Sequence, residues 1–352
     1  MSRVVVTDRV FTIDEIVADV RERGDAALAE WSRRLDATTW LTPPRAVAYG
    51  DIPTAAVLAA AEAVRTWHAA QRPADLLLEV SPGVTLERRW SPLRSVGLYV
   101  PNGLVSSLIM SAVPAQAAGV ERIVVCTPPA GAPAVAAAAA LLGVTEVWAL
   151  GGAQAIAAMA YGTATIAPVD KIIGPGGGAV NTAKLLVSRD VAIDLPAGPS
   201  EVVVVADEGF DEVIIEQELA AQMEHGPDSR AYVVRVGEDL EAALDEVEGY
   251  AAEHVALLGP RAESLAGRIR NAGAVFVGPF APVPAGDYAT GGNHVLPTGG
   301  WARSTGGLGL EAFMKAVTVQ RVTKEGLERL APTIEALAEL EDMPAHRATA
   351  RR

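Results

Sequence analysis

Apolar and polar positions along this chain follow two rhythms. Over residues 13–33, IDEIVADVRERGDAALAEWSR sets apolar side chains at helical spacing around a Gly–Asp break, which predicts helix. Residues 52–71 predict a second helix, with Pro53 early in its first turn. Between 73 and 100 the pattern shortens. PADLLLEV, VTLERRW and SVGLYVP are strand-like pieces separated by Pro and Gly. From about 100 to 200, strand and helix alternate. VERIVVCTPP, VTEVWALGG and APVDKIIGPGGG are apolar strands ending in turns, with small-residue helices between them, and NTAKLLVSR is the helix after the last. This order predicts a parallel sheet covered on both faces, with ligands outside the carboxyl ends of its strands.

EVVVVAD opens a second set. An acidic helix over 211–224, the strand RAYVVRV, an acidic helix over 237–247, the strand HVALLG, a helix over 260–270 and the strand GAVFVG follow in order. A last helix covers 323–341, and the final ten residues read as a frayed tail. The fold class expected is α/β: two parallel-sheet, Rossmann-like domains with a cleft between them and a C-terminal helical tail. The boundaries expected are 1–97 plus 201–310 for a discontinuous first domain with N-terminal helices, 98–200 for the second, and 311–352 for the helical extension.

The 352 residues suffice for two such domains. The net charge of -14, with no Lys/Arg cluster, argues against nucleic acid as a partner. Cys126 is the only cysteine, so neither a disulfide framework nor a thiolate metal site is expected within the chain, and Cys126 reads as a buried strand-end residue. The N-terminus MSRVVVTDRVFTIDE lacks an apolar signal core, and the Ala-rich stretches at 112–119 and 130–142 are too short to span a membrane. A cytoplasmic protein without a membrane role is the expectation.

Chemistry near neutral pH concentrates in five histidines. His225 (QMEHGPDS) stands three residues after Gln222, so the two share a helix face as a two-point metal ligand or His225 simply ends the helix. Glu253 and His254 (YAAEHVAL) are adjacent at a strand entrance, where they share a proton or form a surface turn. Asp287, Asn293 and His294 lie in the glycine-rich GDYATGGNHVLPTGG, a ligand loop or a brace. His68 belongs to a helical pattern and reads as structural. His346, in the tail, reads as solvated. The loop GPGGG at 174–178 offers backbone N–H groups to a phosphate but departs from the GxGxxG spacing, and Asp194, twenty residues on, follows a strand of its own.

Nine motifs in order carry a resemblance that spans roughly residues 12–352: TWHAAQ, RSVGLYVPNG, GGAQAIAAMAYGT, VDKIIGPGG, IDLPAGPSEVVVVAD, AQMEHGPDS, AAEHVAL, GDYATGGNHVLPTGGWARSTGGL and ALAELEDMPAHR. Together they resemble the histidinol dehydrogenase family, zinc- and NAD-dependent enzymes that oxidise a small alcohol substrate. The resemblance implies zinc ligands at Gln222, His225, Asp287 and His346, and a proton-transferring pair at Glu253 and His254. It implies substrate contacts at Ser200, Gln222, His225, His254, Asp287, His294, Glu341 and His346, and cofactor contacts at Tyr99, Gln154 and the Gly177 position. His346 would then cross to the partner subunit of a homodimer and complete an intersubunit site.

The chain also departs from the pattern. It is several tens of residues shorter, at the N-terminal arm and between Arg230 and Glu248. YVPNG runs straight into LVSSLIM. An Asn expected to touch NAD is Gly177, a following Tyr is Ala179, the Pro before the catalytic pair is Ala252, and the Asn opening that motif is Gly249. The readings left open are oxidation of L-histidinol itself, a paralogous zinc/NAD dehydrogenase for another small amino alcohol or diol, and a non-catalytic metal-binding homologue.

Overall fold

The computed structural model describes residues 3–6, 9–36, 51–195 and 198–350. It opens with an antiparallel hairpin, β1 (Arg3–Val6) and β2 (Arg9–Thr12). Thr12 then starts α1 (Ile13–Arg23). Its hydroxyl accepts from the Glu15 N–H while the Glu15 carboxylate accepts from the Thr12 N–H, a reciprocal cap. Gly24, at φ 54, ends that helix, and α2 (Asp25–Leu35) follows, so the pattern over 13–33 is two helices. After α3 (Thr54–Ala69) come the three strand-like pieces, β3 (Leu76–Ser81), β4 (Val84–Pro92) and β5 (Ser95–Tyr99).

Strand and helix then alternate through α4 (Val105–Ala118), β6 (Arg122–Thr127), α5 (Ala132–Leu141), β7 (Glu146–Ala149), α6 (Gly152–Tyr161), β8 (Lys171–Ile173), α7 (Gly178–Val187) and β9 (Ala192–Ile193). The second set is β10 (Glu201–Asp207), α8 (Glu212–Met223), β11 (Arg230–Val236), α9 (Leu240–Tyr250), β12 (His254–Leu258), α10 (Pro260–Glu263), β13 (Ala274–Val277) and α11 (Val283–Tyr288). The chain ends with β14 (Met314–Val322), α12 (Lys324–Leu340) and α13 (Pro344–Thr349).

Both predicted parallel sheets form. The first has the order β7-β6-β5-β8-β9 and the second β11-β10-β12-β13. Each has a switch point, where the strand order turns back on itself: between β5 and β8 in one, between β10 and β12 in the other. Helices cover the sheets, so the central strands are apolar on both faces. Val202 to Ala206 in β10 and all of β12 are buried. Cys126 lies fully buried in β6, its thiol pKa pushed up by burial.

Three features differ from the pattern reading. The helix expected over 260–270 stops at Glu263, with Gly267 soon after. The final residues contain the helix α13. The stretch from 311, expected to be helical, contains β14, which pairs antiparallel with β4 from Met314↔Pro92 to Val322↔Val84, with β3 on the far side of β4. Pairing across more than two hundred residues leaves no mark in local periodicity. By this pairing residues 72–92 join the C-terminal stretch. One compact unit comprises Met1–Gln71 and Leu93–Phe313 and holds both parallel sheets; the other comprises Arg72–Pro92 and Met314–Arg352. Among the described residues no helix is long and apolar enough to cross a membrane.

Candidate active site

The parallel pairing of β10 with β12, Val202 opposite His254, sets the entrances of the two strands side by side. Ser200 and Glu201 enter one; Glu253 and His254 enter the other. The Ser200 hydroxyl donates to Glu253 Oε2 at 2.5 Å, and the Glu201 N–H donates to the same oxygen at 3.0 Å. Gln222, in the last turn of α8, donates from Nε2 to Ser200 Oγ at 2.8 Å. One turn earlier on α8, Glu218 accepts from the Val283 N–H at 3.1 Å, tethering α11, the helix that carries Asp287.

Asp287 stands between two imidazoles. Its Oδ2 is 4.0 Å from His225 Nε2 and its Oδ1 is 3.9 Å from His254 Nε2. Its carbonyl lies 3.1 Å from His294 Nδ1. His294 Nε2 lies 3.4 Å from Ser107 Oγ on α4, which brings a helix of the first sheet's layer to this site. Beside these groups is a cavity of about 430 Å³ lined by His254, Phe276, Asp287, Asn293, His294 and Leu296.

The site lies at the amino ends of the second sheet's strands, not at the carboxyl ends where the α/β pattern placed the ligand. The reason is local. The first N–H of β10 is free to hold the Glu253 carboxylate, and the β10–β12 switch point brings both strand entrances together.

Burial dominates the electrostatics. Glu253 is pushed up to about 7 by burial, against the pull of the Ser200 and Glu201 hydrogen bonds. His254 is driven down to about 3 by burial and then by the nearby His225, which keeps its imidazole neutral. His294 falls to about 4, chiefly by burial. Asp287 is raised by burial and drawn back by His225. Among the buried polar atoms of the described residues that have no hydrogen-bond partner, three belong to this site: Gln222 Oε1 and both ring nitrogens of His254. Buried polar atoms are nearly always satisfied, so such a group marks a place for something from outside the chain.

That observation also tests the site against a metal. His225 and the Asp287 carboxylate face each other, and Gln222, one helical turn before His225, has an unpaired oxygen; these are mixed N/O donors of the kind zinc accepts. Among the described residues no three His, Cys, Asp or Glu side chains cluster as a metal site. Glu341 and His346 belong to the second unit. Glu341 ends α12, His346 lies in α13, and both are exposed in the single chain.

The expected cofactor residues gather at the carboxyl edge of the first sheet, at its β5–β8 switch point. Tyr99 ends β5, and its hydroxyl accepts from the Gly152 N–H at 3.1 Å. Gln154, fully buried in α6, donates from Nε2 to Asp36 Oδ2 at 3.2 Å and leaves its Oε1 without a partner. Gly174 follows β8 at φ 119, and a Cβ there would lie 2.2 Å from the Tyr99 carbonyl oxygen, so no other residue fits. Asp194 accepts from the Gly174 N–H at 2.6 Å, the Lys184 ammonium donates to the Gly174 carbonyl at 2.9 Å, and Lys184 and Asp194 form a buried ion pair. Gly177 differs: nothing lies within 4 Å of the place its side chain would take.

Pattern reading did not find several of these groups. Asp36, Lys184, Ser107, Glu201 and Glu218 each act across the fold, and none of them was assigned a role from the sequence. His68 does more than fill a helix. Its Nδ1 is 2.8 Å from the Val64 carbonyl and its Nε2 is 3.2 Å from Asn293 Nδ2, which also donates to the Met110 carbonyl at 2.7 Å. This fixes the residue before His294. The Asn beside that histidine was the available signal.

The doubly wound α/β chain holds a buried carboxylate–imidazole pair at the entrance of β12. At the level of fold alone it is similar to a point mutant of betaine aldehyde dehydrogenase from Staphylococcus aureus (TM-score 0.52, 12% identity, 89% of this chain and 84% of that one). The family model for histidinol dehydrogenase matches residues 3–240 and 233–352, and this chain belongs to that family. It is 41% identical to histidinol dehydrogenase of Methanothermobacter thermautotrophicus, over 100% of this chain and 95% of the relative. The crystal structure of histidinol dehydrogenase from Elizabethkingia anophelis superposes with TM-score 0.89 at 32% identity, covering 96% of this chain and 90% of that one.

Proposed function

We propose that this protein oxidises L-histidinol to L-histidine through the aldehyde, with two NAD molecules reduced per substrate. The observation that carries this reading is the group of buried, unpartnered atoms, Gln222 Oε1 and the two His254 nitrogens, around Glu253 and Asp287 in a member of this family. Gln222, His225 and Asp287 would hold zinc with His346 of a second copy, and the bound ion would lower the pKa of a substrate hydroxyl. NAD, against Tyr99, Gln154 and the open Gly177 wall, would take up hydride in each step.

The remaining roles fall to the chain. His254, held neutral by burial, accepts the hydroxyl proton at a free ring nitrogen. Glu253, beside it, takes a proton from the water that adds to the aldehyde. Ser200 and Glu341 contact the substrate, and His294 lines its cavity. One alcohol, one water and two NAD then give one carboxylate, two NADH and three protons. The protein acts as a cytoplasmic homodimer with each site completed by the partner's tail. The exposure of His346 and Glu341 in the single chain supports this, since residues meant for a neighbour's site stand free of their own core.

The test is NADH formation from L-histidinol with zinc present, expected at two NADH per substrate. No turnover with histidinol but turnover of another small alcohol would instead favour the paralogue, which the open wall at Gly177 and the substitutions Ala179 and Ala252 keep in view. A wild-type chain that binds zinc but turns over no alcohol would point to the non-catalytic metal-binding reading. Mixing His254→Ala with His346→Ala subunits tests the shared site. Neither variant alone should work, and the mixture should recover about a quarter of wild-type activity, because only one site in each mixed dimer is whole.

A further inference from the structure

The chain of hydrogen bonds from Gln222 through Ser200 to Glu253 has a direction. The Ser200 hydroxyl carries one proton and can give one hydrogen bond. With Glu253 ionised, as taking a proton from water requires, its Oε2, 2.5 Å away, accepts from both the Ser200 hydroxyl and the Glu201 N–H. Ser200 Oγ then has only lone pairs to offer its other neighbour. The Gln222 amide, 2.8 Å away, must therefore turn its NH₂ end toward Ser200. The amide oxygen faces the opposite way, buried and without a partner. With the amide reversed, two oxygens would meet with no proton between them, and an NH₂ group would face the metal position.

We propose that Ser200 is a positioning residue for the metal site. By donating its single hydrogen bond to Glu253 it fixes the Gln222 amide with oxygen outward, as a ligand rather than a repelling donor. This rests on the metal reading above and goes beyond the expected contact of Ser200 with substrate. The pair that moves protons thus also orients a ligand, through one shared hydroxyl.

The test is zinc affinity of the full-length protein without substrate, by competition with a chromophoric chelator. Ser200→Ala should weaken zinc by about 10- to 100-fold, the usual effect of losing a residue that orients a ligand. Ser200→Thr, which keeps the hydroxyl, should restore affinity to within a few-fold of wild type. In a Gln222→Glu background both ends of the side chain are oxygens, no orientation remains to be set, and adding Ser200→Ala should cost no further affinity. Circular dichroism and Tm of each variant report whether it is folded. Equal affinity in wild type and Ser200→Ala overturns this inference alone, as does an undiminished loss in the Gln222→Glu background. A wild-type chain that binds no zinc overturns the metal reading and this inference together.

Discussion

At the carboxyl edge of the first sheet, Lys184 and Asp194 are almost wholly buried and satisfy each other, and together they hold both the N–H and the C=O of Gly174. At the amino edge of the second sheet, His254 is equally buried, yet neither ring nitrogen has a partner, and the Gln222 oxygen is likewise alone. Both edges put charge-bearing groups in a low dielectric. The Lys184–Asp194 pair recovers that cost within the chain, and His254 does not. The contrast separates two uses of buried polarity. Paired groups build a rigid wall, and unpaired groups wait for a ligand.

If this is right, substitutions at the two edges should fail in opposite ways. Glu253→Gln should lower kcat by about 10²- to 10⁴-fold, the range for losing a general acid–base group. His254→Leu should do the same, with a Tm no lower than wild type in the metal-free protein, because an unrewarded buried imidazole is removed. A matching loss of Tm would erase the contrast. Lys184→Met should instead cost about 3–5 kcal/mol of stability, since it strands the Asp194 carboxylate in the core. Urea unfolding measures this, and a loss under about 1 kcal/mol would show that the pair holds little together.

Gly177→Asn sharpens the comparison at the cofactor wall. The position has φ -66 and open space, so Asn fits without strain. One added hydrogen bond is worth about 0.5–1.5 kcal/mol, so KM for NAD should fall by about two- to tenfold with kcat little changed. An unchanged KM would mean that the cofactor does not pass this point. The smallest effect is expected at Asp36. Burial raises its carboxyl pKa, against hydrogen bonds from the Gly151 backbone and the Gln154 side chain. The folded chain therefore binds this proton more tightly than the unfolded chain. The contribution is full below the ordinary carboxylate pKa and is lost as pH rises through the folded value. Asp36→Asn should gain Tm on wild type as pH is raised from about 4 to about 7. A constant difference across that range would count against it.

The alternation of strands and helices was legible because period and punctuation are local, and both parallel sheets follow from it. Four histidines in short polar motifs also announced where to look. The end of the second sheet used for chemistry was not legible, since periodicity identifies a strand but not which of its ends is open. That depended on the lateral register of Val202 with His254. The pairing of β4 with β14 and the brace from His68 to Asn293 were hidden for the same reason, each joining residues more than two hundred positions apart. Lys184 was hidden differently. On a short amphipathic helix a lysine reads as solvated, and only the buried Asp194 beside it explains its place in the core.

The strand order also bears on how small such a protein can be. The two stretches matched by the family model overlap at 233–240, within β11 and the turn into α9. This is also where the sequence falls short of the family pattern. β11 is the outer strand on one flank, while β12, β13 and α11 extend the opposite flank toward Asp287 and His294. The shorter stretch lies on the β11 flank, away from the flank that leads to Asp287 and His294. An engineer seeking a still shorter scaffold should cut there first and leave the β13 flank whole.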